Sequence, residues 1–224
     1  MMRSTTVPLA RPAASRVNRW LAHRLAKPLA GLLCCLPGAW LVWAALANAL
    51  GANPAEALIR SLGDWSLRFL VLVLLVTPLR VAAGWPALAR LRRMLGLFTF
   101  AYTCLHLLAY AWFDMGFVPT DIAADIAKRP FILVGFLAWV LLLTLALTSF
   151  NRAIRWLGAA RWQGLHRAVY AVAVLAVLHF FWMRSGKNDF AEVAVYAALL
   201  GALLGWRIWR RLAHTAGSGR SSRN

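Results

Sequence analysis

Six apolar runs, separated by short polar segments, set the pattern of this chain. A helix needs about 20 apolar residues to cross a hydrocarbon core. Residues 29–50, 94–113 and 131–150 carry no charged side chain and are long enough unaided. Residues 168–183 are apolar except for His179, and 163–167 can extend them; residues 193–206 with their flanks make another run. The weakest is 65–83, where Arg68, Thr77-Pro78 and Arg80 interrupt the pattern and leave a short apolar centre at 69–76. Proline is tolerated in membrane helices, and an arginine near one end can snorkel to the headgroups. The pattern therefore predicts an all-α, polytopic membrane helix bundle of six transmembrane helices.

Charge tests that count. The basic residues fall into four groups, from Arg3 to Lys27, Arg80 to Arg93, Arg152 to Arg167 and Arg207 to Arg223, which hold 19 of the 25 Lys and Arg. With six spans these groups share one side, while all seven acids lie in or beside the other three loops. The positive-inside rule then places both termini in the cytoplasm. Removing the second span would scatter the basic groups over both sides. The formal net charge of +18 would suggest nucleic acid in a soluble protein; here it is a topology signal, and no nucleic-acid partner is expected. A hydrophobic content of 62%, a mean hydropathy of +0.64 and 14% charged residues leave too little polar surface for a water-soluble domain, so lipid is the solvent. Twelve Trp and four Tyr fit interfacial anchoring. Cys34, Cys35 and Cys104 lie in apolar stretches without metal spacing and read as small buried residues.

The expected organisation is a basic cytoplasmic segment over 1–28, a transmembrane domain over 29–209 and a basic, disordered tail over 210–224. The first apolar run exceeds a signal-peptide core and is expected to be retained. Neither an internal repeat nor a long loop is visible, so chemistry belongs to the bundle or to a partner.

Ionisable side chains inside a membrane are costly and each is a functional candidate. His106 lies twelve residues beyond Met94, about 18 Å from the cytoplasmic face at ~1.5 Å per residue. His179 lies thirteen residues beyond His166, at similar depth on the fifth span. Two histidines facing each other across a bundle are what bis-imidazole haem ligation requires. Ala173 and Ala176 leave room for a flat macrocycle beside His179, and Tyr102 and Tyr110 share the face of His106. The plainer alternative is that each histidine hydrogen-bonds a neighbouring helix. His166 has no histidine opposite it, only Arg92 and Arg93. Its open roles are a solvated histidine, a haem ligand alone, an alternative to His179, or a flavin or quinone contact. Along a straight helix His166 and His179 point roughly 140° apart, so they share a face only if the helix is distorted. His23 and His214 lie in the tails and read as inert. Arg92, Arg93, Arg161 and Arg167 suit topology, haem propionates, a flavin phosphate or anionic lipid. Lys128, Arg129, Arg184 and Lys187 depart from the charge pattern; outer propionates, an acidic partner or plain topological noise would each account for them.

The run Arg92-Arg93-Met94-Leu95-Gly96-Leu97, with Tyr102, His106-Leu107, Tyr110 and Asp114, resembles the MsrQ family. So do Lys128-Arg129-Pro130 and Trp162-Gln163-x-Leu165-His166-Arg167-x-x-Tyr170 leading to His179. Members are haem-binding membrane subunits of a periplasmic methionine sulfoxide reductase system, within the ferric reductase-like transmembrane superfamily. The resemblance implies b-type haem associated with His106, His166 and His179, together with FMN. It also implies electrons drawn from the quinone pool and passed to a periplasmic molybdopterin-containing methionine sulfoxide reductase subunit that repairs oxidised proteins. The wider superfamily has two histidines on each ligand helix, whereas the third span here has one. The alternatives are a small proton-coupled transporter and a cofactor-free anchor; a transporter usually shows repeats or broken helices near the midplane.

Overall fold

The structure, a computed structural model, describes residues 15–186 and 188–221, the last eight of these by backbone alone. Its elements are α1 (Arg16–Ala22), α2 (Ala26–Leu46), α3 (Pro54–Ala82), a 3₁₀ turn (Pro86–Leu91) running into α4 (Arg92–Phe113), α5 (Pro119–Lys128), α6 (Pro130–Leu147), α7 (Asn151–Leu157), α8 (Ala159–His166), α9 (Val169–Ser185) and α10 (Ala191–Ser221). Among the described residues, six helical segments are long and apolar enough to cross a membrane: Ala26–Leu46, Pro54–Ala82, Pro86–Phe113, Pro130–Leu147, Ala159–Ser185 and Ala191–Ala213. The protein is thus an all-α, multi-pass membrane bundle. Large apolar side chains such as Leu32, Leu36, Trp40 and Trp43 stand exposed on α2, as lipid-facing residues do.

The second span is much longer than the 65–83 expected. Asn53 accepts from the Glu56 N–H at 3.2 Å and its amide donates to the Glu56 carboxylate at 3.1 Å, a reciprocal cap that starts the helix at Pro54. Glu56 pairs with Arg60 at 2.5 Å, one turn on. The 29 residues of α3 reach about 43 Å, beyond the ~30 Å of hydrocarbon, so the charged first turn extends past the core.

Its interruptions are met from other helices. Pro78 has no N–H for the carbonyl of Leu74, and the buried Arg207 of α10 donates to that oxygen instead. Arg68 does not snorkel: its Nε donates to the Tyr196 hydroxyl at 3.2 Å, and its guanidinium lies 4.6 Å from the Trp65 ring centre. In α2, which contains Pro37, the Tyr102 hydroxyl stands between the Gly38 N–H and the Cys34 carbonyl, bonding both.

Two segments outside the apolar runs differ from expectation. The segment between the third and fourth spans holds the amphipathic α5. The tail expected to be disordered from 210 is instead a continuation of α10, which runs unbroken to Ser221. Residues 1–14, Lys187 and 222–224, and the side chain of His214, lie outside what is described.

The most extensive packing is α3 on α4 and α6 on α9, with α10 against α3 and α9 and α2 against α3 and α4. Leu67, Leu70, Leu74, Leu142, Leu145 and Val172 fill the space between the two pairs. On the side away from the termini, that filling gives way to a cavity.

Candidate functional site

The cavity has a volume of about 270 Å³, just below the ~300–1,000 Å³ usual for small-molecule sites. The α3/α4 pair lines one side and α6/α9 the other; Leu70, Thr99, Leu142 and Val172 lie on its lining at the packed core. His106 projects from α4 and His179 from α9, with ring centres 6.3 Å apart and ring planes at 81°. A metal-bound imidazole nitrogen lies ~2 Å from its metal and ~1 Å from its own ring centre, so two imidazoles sharing one metal would have their ring centres about 6 Å apart. The observed spacing fits that requirement.

Each ring is oriented through its other nitrogen. His106 Nδ1 lies 2.8 Å from the Ile59 carbonyl of α3, and His179 Nδ1 lies 2.7 Å from the Phe131 carbonyl of α6. A carbonyl only accepts, so Nδ1 carries the proton in both rings and Nε2 keeps the lone pair that binds a metal. The apolar walls suit a macrocycle, and Arg60, Arg129 and Arg184 supply cations for its carboxylates. The residues present therefore fit a haem.

His106 and His179 are brought together, as their matched depth predicts. His166 is not with them. It ends α8, stacks on Trp162 with ring centres 4.0 Å apart, and has a buried Nε2 without a hydrogen-bond partner. The helix breaks at Arg167 and Ala168, between α8 and α9, yet His166 does not line the cavity. Arg92, Arg93, Arg161 and Arg167 are exposed and also absent from its lining; Arg93 donates to Asn151 at 2.8 Å. The physical reason is polarity: these arginines follow the termini-bearing side, whereas the cavity opens toward the other.

The anomalous cations Arg129 and Arg184 both line the cavity, and each has local acids. Arg129 pairs with Asp125 at 2.6 Å, and Arg184 with Asp189 and Glu192 at 3.1 and 2.5 Å. Lys128 lies among Asp114, Asp121 and Asp125. Tyr110 lines the cavity and donates to Asp125 at 2.6 Å, but Tyr102 is turned to α2. Ala176 lines the cavity, whereas Ala173 is buried in the core. Beyond the end of α4, burial raises the Asp114 carboxyl above its ordinary range, with Arg129 opposing and Asp125 and Glu56 adding. Sequence reading missed Arg60, Asp64, Gly63 and Gly135 as lining residues. The available signal was the presence of charge and glycine inside helical runs.

Residues 62–177 match the family model of the ferric reductase-like transmembrane component. The chain is 64% identical over 196 residues to the protein-methionine-sulfoxide reductase heme-binding subunit MsrQ of Polaromonas naphthalenivorans, covering 88% of this chain and 90% of that one. The protein of the same name from Bordetella pertussis is 50% identical over 203 residues, covering 89% and 97%. That of Azospira oryzae is 52% identical over 181 residues, covering 81% and 77%. No solved structure matches the chain.

Proposed function

Because the chain belongs to the MsrQ family, within the ferric reductase-like transmembrane proteins, we propose that it is a haem b-binding electron-transfer subunit. The observation that carries this reading is the pair of facing imidazoles, 6.3 Å apart and each anchored through Nδ1 to a backbone carbonyl. His106 and His179 are the residues assigned to hold the iron. Haem, when bound, supplies a one-electron carrier that a bundle of aliphatic side chains lacks. The packed helices hold both imidazoles in one tautomer and keep water from the apolar walls. Arg60, Arg129 and Arg184, which line the cavity, would hold the haem carboxylates and offset their charge.

The reading extends further on family membership. The expected partner is a periplasmic molybdopterin-containing methionine sulfoxide reductase subunit on the cavity side. Quinol is the expected electron source, with FMN as an associated cofactor and the inner membrane as the location. His166 and the exposed Arg92, Arg93, Arg161 and Arg167 are assigned to that donor side, where His166 is a candidate ligand for further haem and the arginines suit a flavin phosphate or a propionate. The transmembrane domain is taken as 29–209.

The test is a dithionite-minus-oxidised optical spectrum of the detergent-purified protein with a pyridine haemochrome count. Sharp low-spin b-type bands are expected, and more than one haem per chain would give His166 a ligand's role. A colourless protein from haem-replete cells would overturn the reading in favour of a transporter or an anchor.

A further inference from the structure

Each candidate ligand reaches its neighbouring backbone beside a glycine. His106 meets the carbonyl of Ile59 on α3, and Gly63 stands four residues further along the same helix. His179 meets the carbonyl of Phe131 on α6, and Gly135 again stands four residues further. In an α-helix the residue at i+4 carries the N–H bonded to carbonyl i, and its Cβ leans back toward the helix N-terminus. A side chain there obstructs the approach of an outside donor to the same oxygen.

The distances make the obstruction concrete. A Cβ on Gly63 would lie 3.2 Å from both Nδ1 and Cε1 of His106. On Gly135 it would lie 2.8 Å from Nδ1 and 2.9 Å from Cε1 of His179. Carbon atoms in good contact stand about 3.5–4.0 Å apart. Neither glycine has a positive φ, and alanine is the better helix former, so the backbone gives no reason for glycine at either place. Gly96 on α4 and Gly201 on α10 have nothing within 4 Å of such a Cβ. The device is repeated: α3/α4 and α6/α9 are the two most closely packed pairs, and each anchors one histidine within itself across the shared cavity.

We propose that Gly63 and Gly135 are positioning residues for the two haem ligands, each holding open a backbone carbonyl on which an imidazole is oriented. The proposal rests on the haem reading above. Through Nδ1 the two carbonyls fix the tautomers and the 81° between the ring planes, and they strengthen Nε2 as a ligand. A methyl group at Gly135 forces the His179 ring off its carbonyl, and one at Gly63 pushes the His106 ring by a few tenths of an ångström, with both histidine side chains still present. The consequence falls on haem affinity, ligand orientation and potential.

The full-length, detergent-purified variants Gly63→Ala and Gly135→Ala are compared with Gly96→Ala and Gly201→Ala as matched helical controls. Haem retention is measured by transfer to excess apomyoglobin, ligand orientation by the EPR g-values of the oxidised protein, and potential by redox titration. Gly135→Ala is expected to hold haem roughly 10-fold less tightly or worse. Gly63→Ala, with the milder approach, is expected to keep haem with shifted g-values and midpoint potential. Glycine variants matching the controls in all three readouts would overturn the proposal. Should Gly135→Ala fail to accumulate in the membrane, Gly63→Ala decides by the same readouts. His106→Ala and His179→Ala separate the two levels of the argument. Full haem in either defeats the ligand assignment; haem loss in both, with unaltered glycine variants, defeats only the positioning role.

Discussion

Replacing Tyr102 with Phe removes one oxygen from the helix-helix contact beside Pro37. That hydroxyl accepts from the Gly38 N–H at 2.7 Å and donates to the Cys34 carbonyl at 3.0 Å, standing between two groups that a regular helix bonds to each other. The ring is 3% exposed and packs on Phe69 at 5.0 Å between centres, contacts that Phe retains. Only hydrogen bonding changes. Side-chain hydrogen bonds between membrane helices average ~0.6 kcal/mol and reach ~1.7 kcal/mol, so losing two costs about 1–3 kcal/mol. The lower figure applies if Gly38 and Cys34 close on each other, the upper if Pro37 holds them apart. The assay is reversible unfolding in bicelles titrated with SDS, followed by far-UV circular dichroism. A loss below about 0.5 kcal/mol, the scale of an inert surface change, would refute the bridging role. The haem spectrum is expected to stay unchanged, since the hydroxyl faces α2 and not the cavity; a shifted spectrum would refute that placement.

Further outcomes follow from the same geometry. His106→Ala and His179→Ala are each expected to lose most bound haem in a haemochrome assay, and His166→Ala to have a smaller or more selective effect; full retention in either of the first two counts against them as ligands. Arg207→Met is expected to destabilise the bundle, but by about 1 kcal/mol less in a Pro78→Ala background, where residue 78 again has an N–H for the Leu74 carbonyl. Additivity within ~0.3 kcal/mol in that double-mutant cycle would show that Arg207 does not serve that oxygen. Asp114 binds its proton more tightly when folded, because burial outweighs Arg129, so its contribution to stability falls as pH rises from the ordinary 3.8 through the raised value. Asp114→Asn should flatten that decline in unfolding free energy over mildly acidic pH, and an unchanged slope would rule the carboxyl out as its source.

Some of the site was legible along the chain and some was not. His106 and His179 stand out because an imidazole in an apolar run is costly, and rise per residue alone sets their depth. Arg60 and Asp64 were hidden because α3 starts at an Asn53 cap upstream of the apolar run by which the span was recognised. Tyr102 and Tyr110 share a helical face by spacing, yet Tyr102 turns to α2 and Tyr110 to Asp125. Periodicity says which residues share a face and is silent on which neighbour that face meets.

Hydrophobic length and the alternation of charge, read from sequence alone, determined the six spans, the all-α class and the histidines worth examining. These are one-dimensional quantities, summed along a segment against a slab of known thickness. Tertiary structure decided which arginines border the cavity, that His166 stands apart, and that Gly63 and Gly135 lie against the imidazoles. Those depend on helix rotation and pairing, which packing between distant segments sets.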